Sequence, residues 1–380
     1  MAPQKAEQNS TPNFGMTRIT CPLHYDSSSA PIPIQLDLVT PSVVLDPIPQ
    51  TETIRESPLF RDVAAFIGRH FASLKIVKET NYFDKMVVNG VLGAQFVYYF
   101  ASSYEKQVYF AMLHTWWWLL DDWIDICALK SPMGKMKIID IIGKFIETGK
   151  ENQESIHVKE RIYDPLLRSV LKAYAECDAM ADRIVPDYPK VKHRFTKELK
   201  LYLQSGAWAL MDSNLVGSGY SFETFLHWRK VSGGADASNE LLMLLENGNP
   251  PNYIVDHLMV KTLFNTSSTL FALRNDIVGV KRDLARNDTG GTVMYKILVE
   301  GKSAPVAVQE IVSLHEKLTR DYVQLRKAVL TMFKNYGEKD FNKLLNYIEL
   351  LERYEYGATV FWFTTPRYQI DGKFELEHFK

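Results

Sequence analysis

The chain has 380 residues, 46% of them apolar and 23% charged, a balance that belongs to globular proteins and excludes a disordered chain. Its 44 basic and 45 acidic side chains leave a net charge of -1, so nothing electrostatic calls for a nucleic acid partner. Three scattered cysteines are too few for a disulfide framework, no HExxH or paired Cys/His spacing offers a zinc site, and no run of about eighteen apolar residues could span a bilayer.

Residues 1–55 form a compositional block of their own. Eight of the seventeen prolines fall in the first fifty residues, and proline fixes φ and removes a donor. An irregular, extended and helix-poor N-terminal arm is therefore expected. The run "PIPIQLDLV" (31–39) alternates apolar and polar positions, so part of the arm is expected to pack against the body. Only Lys5 and Arg18 are basic in the first fifty residues, and no charged-then-apolar start is present. That pattern fits neither a secretory nor a transit peptide and leads to the expectation of a soluble, cytoplasmic protein.

From about residue 58 onward, long helical periods are broken by short turns, with no convincing strand series. Breaks fall at "SPMG" (131–134), "PDYPK" (186–190), "GSG" (217–219), "GNPPN" (248–252), "TGG" (289–291) and "NYG" (335–337). The clearest helix covers 308–332, where Val308, Ile311, His315, Leu318, Tyr322, Leu325, Val329 and Met332 recur at spacings of three and four. Residues 56–380 thus read as one all-α domain of roughly ten or more helices.

The first chemistry-bearing stretch is "WWWLLDDWID", residues 116–125. At about 100° per residue, Asp121 and Asp125 lie about 40° apart, one turn from each other on a single helix face, while Asp122 points aside. Carboxylates so placed repel each other unless a cation lies between them. Oxygen ligands of this kind suit a hard ion such as magnesium, which shares its shell with water and substrate phosphates. Taken alone, the stretch also reads as a solvated acidic helix end. The second is "NDIVGVKRD" (275–283), in which Asn275, Gly279 and Asp283 fall at i, i+4 and i+8 on one face. Lys281 and Arg282 place positive charge beside those oxygens, as a phosphate site needs. By itself it reads more readily as a helix end of mixed charge.

Together, the order DDxxD and then, about 150 residues later, a motif of the form NDxx(S/T)xxx(E/D) resembles the class I terpene synthases. The similarity is to the single-domain cyclases of fungi, bacteria and other non-plant lineages, octocorals among them. "RKVSGG" (229–234) resembles that family's break between two active-site helices, and "TPRY" (365–368) its C-terminal RY pair.

The resemblance implies an all-α, single-domain class I terpenoid synthase bundle with a central active-site cavity. The implied substrate is an isoprenyl diphosphate, farnesyl (C15) or geranylgeranyl (C20), ionised with magnesium, three ions being usual. Asp121, Asp125, Asn275, Gly279 and Asp283 would form the metal positions. Arg229 would sense the diphosphate, with Ser232 as linker and Gly233 as effector carbonyl. Arg282, Arg367 and Tyr368 would face the diphosphate, and Asp122 would pair with a cation such as Arg367. Trp117, Trp118 and Phe361 would line the cavity on facing helices, and Trp116 would pack in the core. The assembly is expected to be a monomer or homodimer.

Two departures stand out. Gly279 occupies the position where the family carries serine or threonine, and Asp283 is one methylene shorter than the commoner glutamate. A chain-elongating prenyl diphosphate synthase would need a second DDxxD and a paired arginine segment, and neither is present. A protonation-initiated cyclase would need DxDD, which is also missing. A non-catalytic helical interaction protein would explain the apolar faces but not the ordered motifs.

Overall fold

The computed structural model describes residues 15–23, 30–44, 51–71, 80–126, 132–148, 165–211, 219–286, 288–365, 368 and 375–379. Among them, the helices long enough to shape the body are α1 (Pro58–His70), α2 (Thr80–Phe96), α3 (Tyr104–Ile126), α4 (Pro132–Thr148), α5 (Pro165–Ile184) and α6 (His193–Met211). They continue as α7 (Phe222–Ser232), α8 (Ala235–Leu245), α9 (Leu258–Arg286), α10 (Thr292–Leu298), α11 (Ala304–Phe333) and α12 (Glu338–Thr364). The body is all-α. No helix among the described residues is long and apolar enough to cross a membrane.

Local chemistry starts several of these helices. The Ser57 hydroxyl accepts from the Phe60 amide at 3.1 Å, and Pro58 fills the first position of α1, where no amide partner is needed. The Ser221 hydroxyl caps α7 in the same way, on the Thr224 amide at 3.3 Å. α3 has no polar face through its middle: every residue from Val108 to Trp117 is buried. A helix apolar all round belongs inside a protein, and α3 is enclosed by α1, α2 and α5. Trp116 is its anchor, fully buried, with its indole N–H donating to the Val170 carbonyl on α5 at 2.8 Å.

The N-terminal arm departs from the irregular segment expected. It contains two strands, β1 (Met16–Leu23) and β2 (Ile32–Val39), paired antiparallel, and β3 (Glu375–Phe379) joins β1 on the other side, giving the order β2-β1-β3. Ile32, Ile34, Leu36 and Leu38 alternate into the interior, and β2 lies on α11 and α12. Arg18 and Asp37 face each other in register and form two hydrogen bonds, of 2.7 and 3.1 Å. The arm's buried side chains belong to the same apolar core as the helices, so it is no separate appendage. Proline content read correctly as extended backbone. What it could not supply was the partner, since β3 lies more than 350 residues away in the chain.

α11 shows a second departure. Its buried line runs Val308, Val312, His315, Thr319, Tyr322, Arg326, Val329, Phe333, whereas Leu318, Leu325 and Met332 are only half-buried. Thr319 and Arg326 turn inward because polar partners wait there: Arg326 Nη2 donates to buried Glu352 on α12 at 2.8 Å. An apolar-only reading of periodicity rotates such a helix slightly away from its true contact line.

Candidate active site

Where α3, α6, α9 and α12 meet the α7–α8 junction, the helices enclose a cavity of about 260 Å³. α3 contributes His114, Trp117, Trp118 and Asp121, the i, i+3, i+4, i+7 set of one face. α9 contributes Phe271, Asn275, Arg282, Asp283 and Arg286, and α12 contributes Tyr354, Ala358, Phe361 and Trp362. Along both α3 and α9 the aromatic positions precede the carboxylates, so the cavity has a ring-lined part and a polar end. The helical rise of 1.5 Å per residue puts roughly 10 Å between the levels of His114 and Asp121.

At the polar end, Tyr202 of α6 donates its hydroxyl to Asp121 Oδ1 at 2.6 Å, and its ring meets Trp117 edge-on at 4.9 Å. Asp121 lies half-buried here. The side chains of Asp122 and Asp125, and residue Arg367, lie outside the described residues, and so does the expected pairing of Asp122 with Arg367.

Across the cavity, the chain breaks between Ser232 and Ala235, with Gly233 ending α7 and Gly234 at φ 75°. That left-handed conformation suits glycine, and a Cβ on Gly234 would also stand 3.2 Å from Trp117 and 3.3 Å from Tyr202. The break aims Arg229 at α9. Its Nε donates to Asp276 Oδ1 at 2.9 Å, and its Nη2 reaches Asp276 Oδ1 at 2.6 Å and Asn275 Oδ1 at 3.1 Å. Its Nη1 lies 3.4 Å from the Ser232 hydroxyl. Burial alone works against the charge, but Asp276, with Asp283 and Asp288 behind it, holds the Arg229 guanidinium more firmly protonated than usual. Asp276 is itself fixed by the Thr292 amide at 2.6 Å and the Thr292 hydroxyl at 2.8 Å.

Further along α9, Arg282 donates from Nε (2.9 Å) and Nη2 (2.7 Å) to Asp283 Oδ1. Its guanidinium carbon stands 4.9 Å from the centre of the Tyr368 ring, and Asn275 Nδ2 donates to the Tyr368 hydroxyl at 2.8 Å. Asp283 is 4% exposed, and burial, only partly offset by Arg282, pushes its carboxyl up to about 6. Gly279 is buried on the same helix. A Cβ there would come within 3.2 Å of Asp283 Oδ2 and 3.4 Å of Arg282 Nη2. Lys281, grouped with Arg282 by sequence, is not among the lining residues.

The oxygen donors at this end, Asp121, Asn275 and Asp283, suit a hard divalent cation, and a desolvated carboxylate such as Asp283 favours one nearby. Among the described residues no three Asp, Glu, His or Cys side chains gather closely enough to hold an ion unaided. The set fits a cation that takes the rest of its shell from water and ligand oxygens, as magnesium does.

The remaining wall is aromatic. Trp118 stacks on Phe361 with ring centres 5.7 Å apart and planes 4° from parallel. Phe271 stacks on Tyr354 at 5.1 Å and meets Trp362 edge-on at 4.6 Å. Sequence motifs brought forward Trp117, Trp118, Phe361, Arg229, Ser232, Gly233, Asn275, Arg282, Asp283 and Tyr368, and all of them line this one cavity. They missed His114, Tyr202, Trp228, Phe271, Tyr354 and Trp362. Helical spacing from Asp121 back to His114 could have found the first of these; Tyr202 carries no such local signal.

A family model described as "Terpene synthase family 2, C-terminal metal binding" matches residues 112–321. Among curated relatives, Microbial Terpene synthase-like protein 1 of Selaginella moellendorffii is 21% identical over 242 residues, 63% of this chain and 66% of its own length. (+)-T-muurolol synthase ((2E,6E)-farnesyl diphosphate cyclizing) of Roseiflexus castenholzii is 23% identical over 139 residues, 36% of this chain and 41% of that protein. The matches thus cover about two thirds of the first relative and under half of the second. Among solved structures, wild-type cucumene synthase superposes with a TM-score of 0.63 at 13% identity, covering 85% of this chain and 99% of that one. Germacradien-4-ol synthase from Streptomyces citricolor gives 0.61 at 14% identity, covering 80% and 96%. At such identities these structures establish the shared fold.

Proposed function

The chain belongs to the terpene synthase family, and from that premise we propose that it is a class I terpene cyclase acting on an isoprenyl diphosphate. One observation carries the reading: two motifs about 150 residues apart place Asp121 on one side and Asn275, Arg282 and Asp283 on the other of a single cavity whose remaining wall is aromatic. A non-catalytic bundle has no use for carboxylates and arginines, half-buried or buried, gathered at one end of an aromatic chamber.

Asp121, Asn275 and Asp283 would hold magnesium, with Asp125 and the Gly279 position joining them by sequence match; three ions are the family's usual number. Bound there, the cations would neutralise the diphosphate and make it a competent leaving group. Arg229 and Arg282 would donate to diphosphate oxygens, a task suited to their fork of N–H groups. Arg367 and Tyr368 would complete that contact, and Ser232 and the Gly233 carbonyl would couple the α7–α8 junction to it. Asp276 keeps Arg229 oriented before the substrate arrives.

Departure of diphosphate leaves an allylic cation that water would quench. The chamber formed by Trp117, Trp118, Phe271, Tyr354, Phe361 and Trp362 excludes water and presents π faces that stabilise a cation without attacking it. A cavity of about 260 Å³ lies just below the ~300–1,000 Å³ common for organic ligands. That size favours the C15 chain of farnesyl diphosphate over the C20 chain of geranylgeranyl diphosphate. The muurolol synthase relative, which cyclises farnesyl diphosphate, points the same way.

Incubation with magnesium and either diphosphate, followed by gas chromatography and a diphosphate assay, tests the reading. A cyclic hydrocarbon or alcohol with matching diphosphate release is expected, larger in amount with the C15 substrate. A longer prenyl diphosphate, formed when isopentenyl diphosphate is added, or an unchanged substrate would overturn it.

A further inference from the structure

The proposed reaction leaves one cavity group without a task. His114 sits on α3 between Phe110 and the tryptophans, and it lines the cavity with a residue exposure of only 8%. Its ring stacks on Phe110 with centres 3.9 Å apart and planes at 23°. Trp117 and Trp118 stand 5.6 and 6.1 Å away, centre to centre. Nδ1 lies 3.1 Å from the Phe110 carbonyl oxygen. A carbonyl only accepts, so Nδ1 carries the proton and Nε2 carries the lone pair.

We infer that His114 is the base that ends the cation cascade, taking a proton at Nε2 from the carbon next to the last cationic centre. The inference rests on the terpene cyclase reading above. In the step, a C–H bond breaks, its electron pair becomes the π bond of the product olefin, and the proton forms N–H at Nε2. The imidazolium then returns its proton to the departing diphosphate or to water as the product leaves, and the resting tautomer is restored.

Three features make this group fit the task. First, depth: seven residues before Asp121 is roughly 10 Å along the helix, so a cation held among the rings lies nearer His114 than the diphosphate oxygens at the polar end. Second, tautomer: the Phe110 carbonyl presets the lone pair, so no proton must be shed first. Third, protonation: burial pulls the imidazole down to about 4, so it stands neutral at pH 7. Even a weak base suffices, because a carbocation is a far stronger acid than an imidazolium. The indole and phenyl faces around it offer no lone pair, and among the described residues that line the cavity no other histidine is present.

Two variants test it, His114→Phe, which keeps the stacking and volume, and His114→Gln, which keeps polarity but accepts no proton. Product amounts are normalised to diphosphate released, so that ionisation and termination are read separately, and circular dichroism checks the fold of each. In both variants the share of the wild-type major olefin per diphosphate should fall at least about tenfold, with alcohols or regioisomeric olefins rising. A wild-type product ratio retained in either folded variant would overturn the assignment. So would a wild-type enzyme whose sole products are alcohols, since water capture inside the cavity needs no such base. Failure of the wild type to release any diphosphate would instead sink the cyclase reading itself, and this inference with it.

Discussion

Arg282 directs both its Nε and its Nη2 onto one oxygen of its chain neighbour Asp283, at 2.9 and 2.7 Å. The cation that would serve the diphosphate therefore rests on a carboxylate that would serve the metal. Substrate and magnesium together would separate the pair, each taking one partner.

Arg282→Gln should accordingly weaken binding of inorganic diphosphate in the presence of magnesium. Charge-assisted hydrogen bonds contribute about 1.5–3 kcal/mol, which is roughly a 10- to 100-fold loss. Calorimetric titration measures it, and an affinity within about twofold of wild type would remove Arg282 from the diphosphate contact.

Asp121 and Tyr202 make a graded pair, joined at 2.6 Å. Asp121→Ala removes a carboxylate from the polar end and should lower kcat by at least about 10²-fold. Tyr202→Phe keeps the ring beside Trp117 and removes only the donor, so the cost should be near 1 kcal/mol, about fivefold in rate. Equal losses in the two variants would mean that the tyrosine does more than orient the aspartate.

Gly279 and Gly234 should respond in opposite ways to a side chain. A serine at 279 would crowd Asp283 Oδ2, the end of a side chain that can turn, at 3.2 Å, stand in ordinary contact with Arg282 Nη2 at 3.4 Å, and bring a hydroxyl beside Asp283. Gly279→Ser is therefore expected to lower the magnesium concentration giving half-maximal rate. At Gly234 the φ of 75° and the rigid rings of Trp117 and Tyr202 leave no such escape. Gly234→Ala should cost about 1–2 kcal/mol for the left-handed backbone alone, measured by urea denaturation.

Trp118 and Phe361 stack on each other in the cavity wall, so shrinking one ring opens the wall without touching the carboxylates. A cation–π contact of about 0.5–2 kcal/mol is enough to redistribute closely spaced pathways. Phe361→Leu and Trp117→Leu should give more acyclic and early-quenched product per diphosphate released. A lowered melting temperature with an unchanged product ratio would leave these rings as core.

His315 is fully buried between α11 and its neighbours, and neither ring nitrogen has a hydrogen-bond partner among the described residues. Burial, and then the positive charge of Arg274, pulls its proton affinity far below the ordinary value of 6.5. Below that pH the unfolded chain binds a proton that the folded one refuses, so stability present above about 6.5 is lost as pH falls toward the folded value. His315→Gln should unfold at a lower pH than wild type, as followed by circular dichroism. Coincident acid transitions would show that this histidine does not report on folding.

The sequence by itself determined the all-α body, the helix carrying Asp121 and the helix carrying Asn275 and Asp283. These depend on local rules: a fixed rise and rotation put residues three, four and seven apart on one face, so motifs could be read with their directions. Tertiary structure alone decided that Tyr202 grips Asp121, that Asp276 anchors Arg229, and that Thr319 and Arg326 turn α11 toward its neighbours. It also decided that the proline-rich arm forms a sheet with the far end of the chain. Each of these joins residues between 26 and several hundred positions apart, and even the rotation of α11 is imposed by distant partners. Local periodicity records which face of an element is apolar, but a polar partner across the core is chosen by packing, because a buried donor or charge must be satisfied by whatever group the fold brings within about 3 Å.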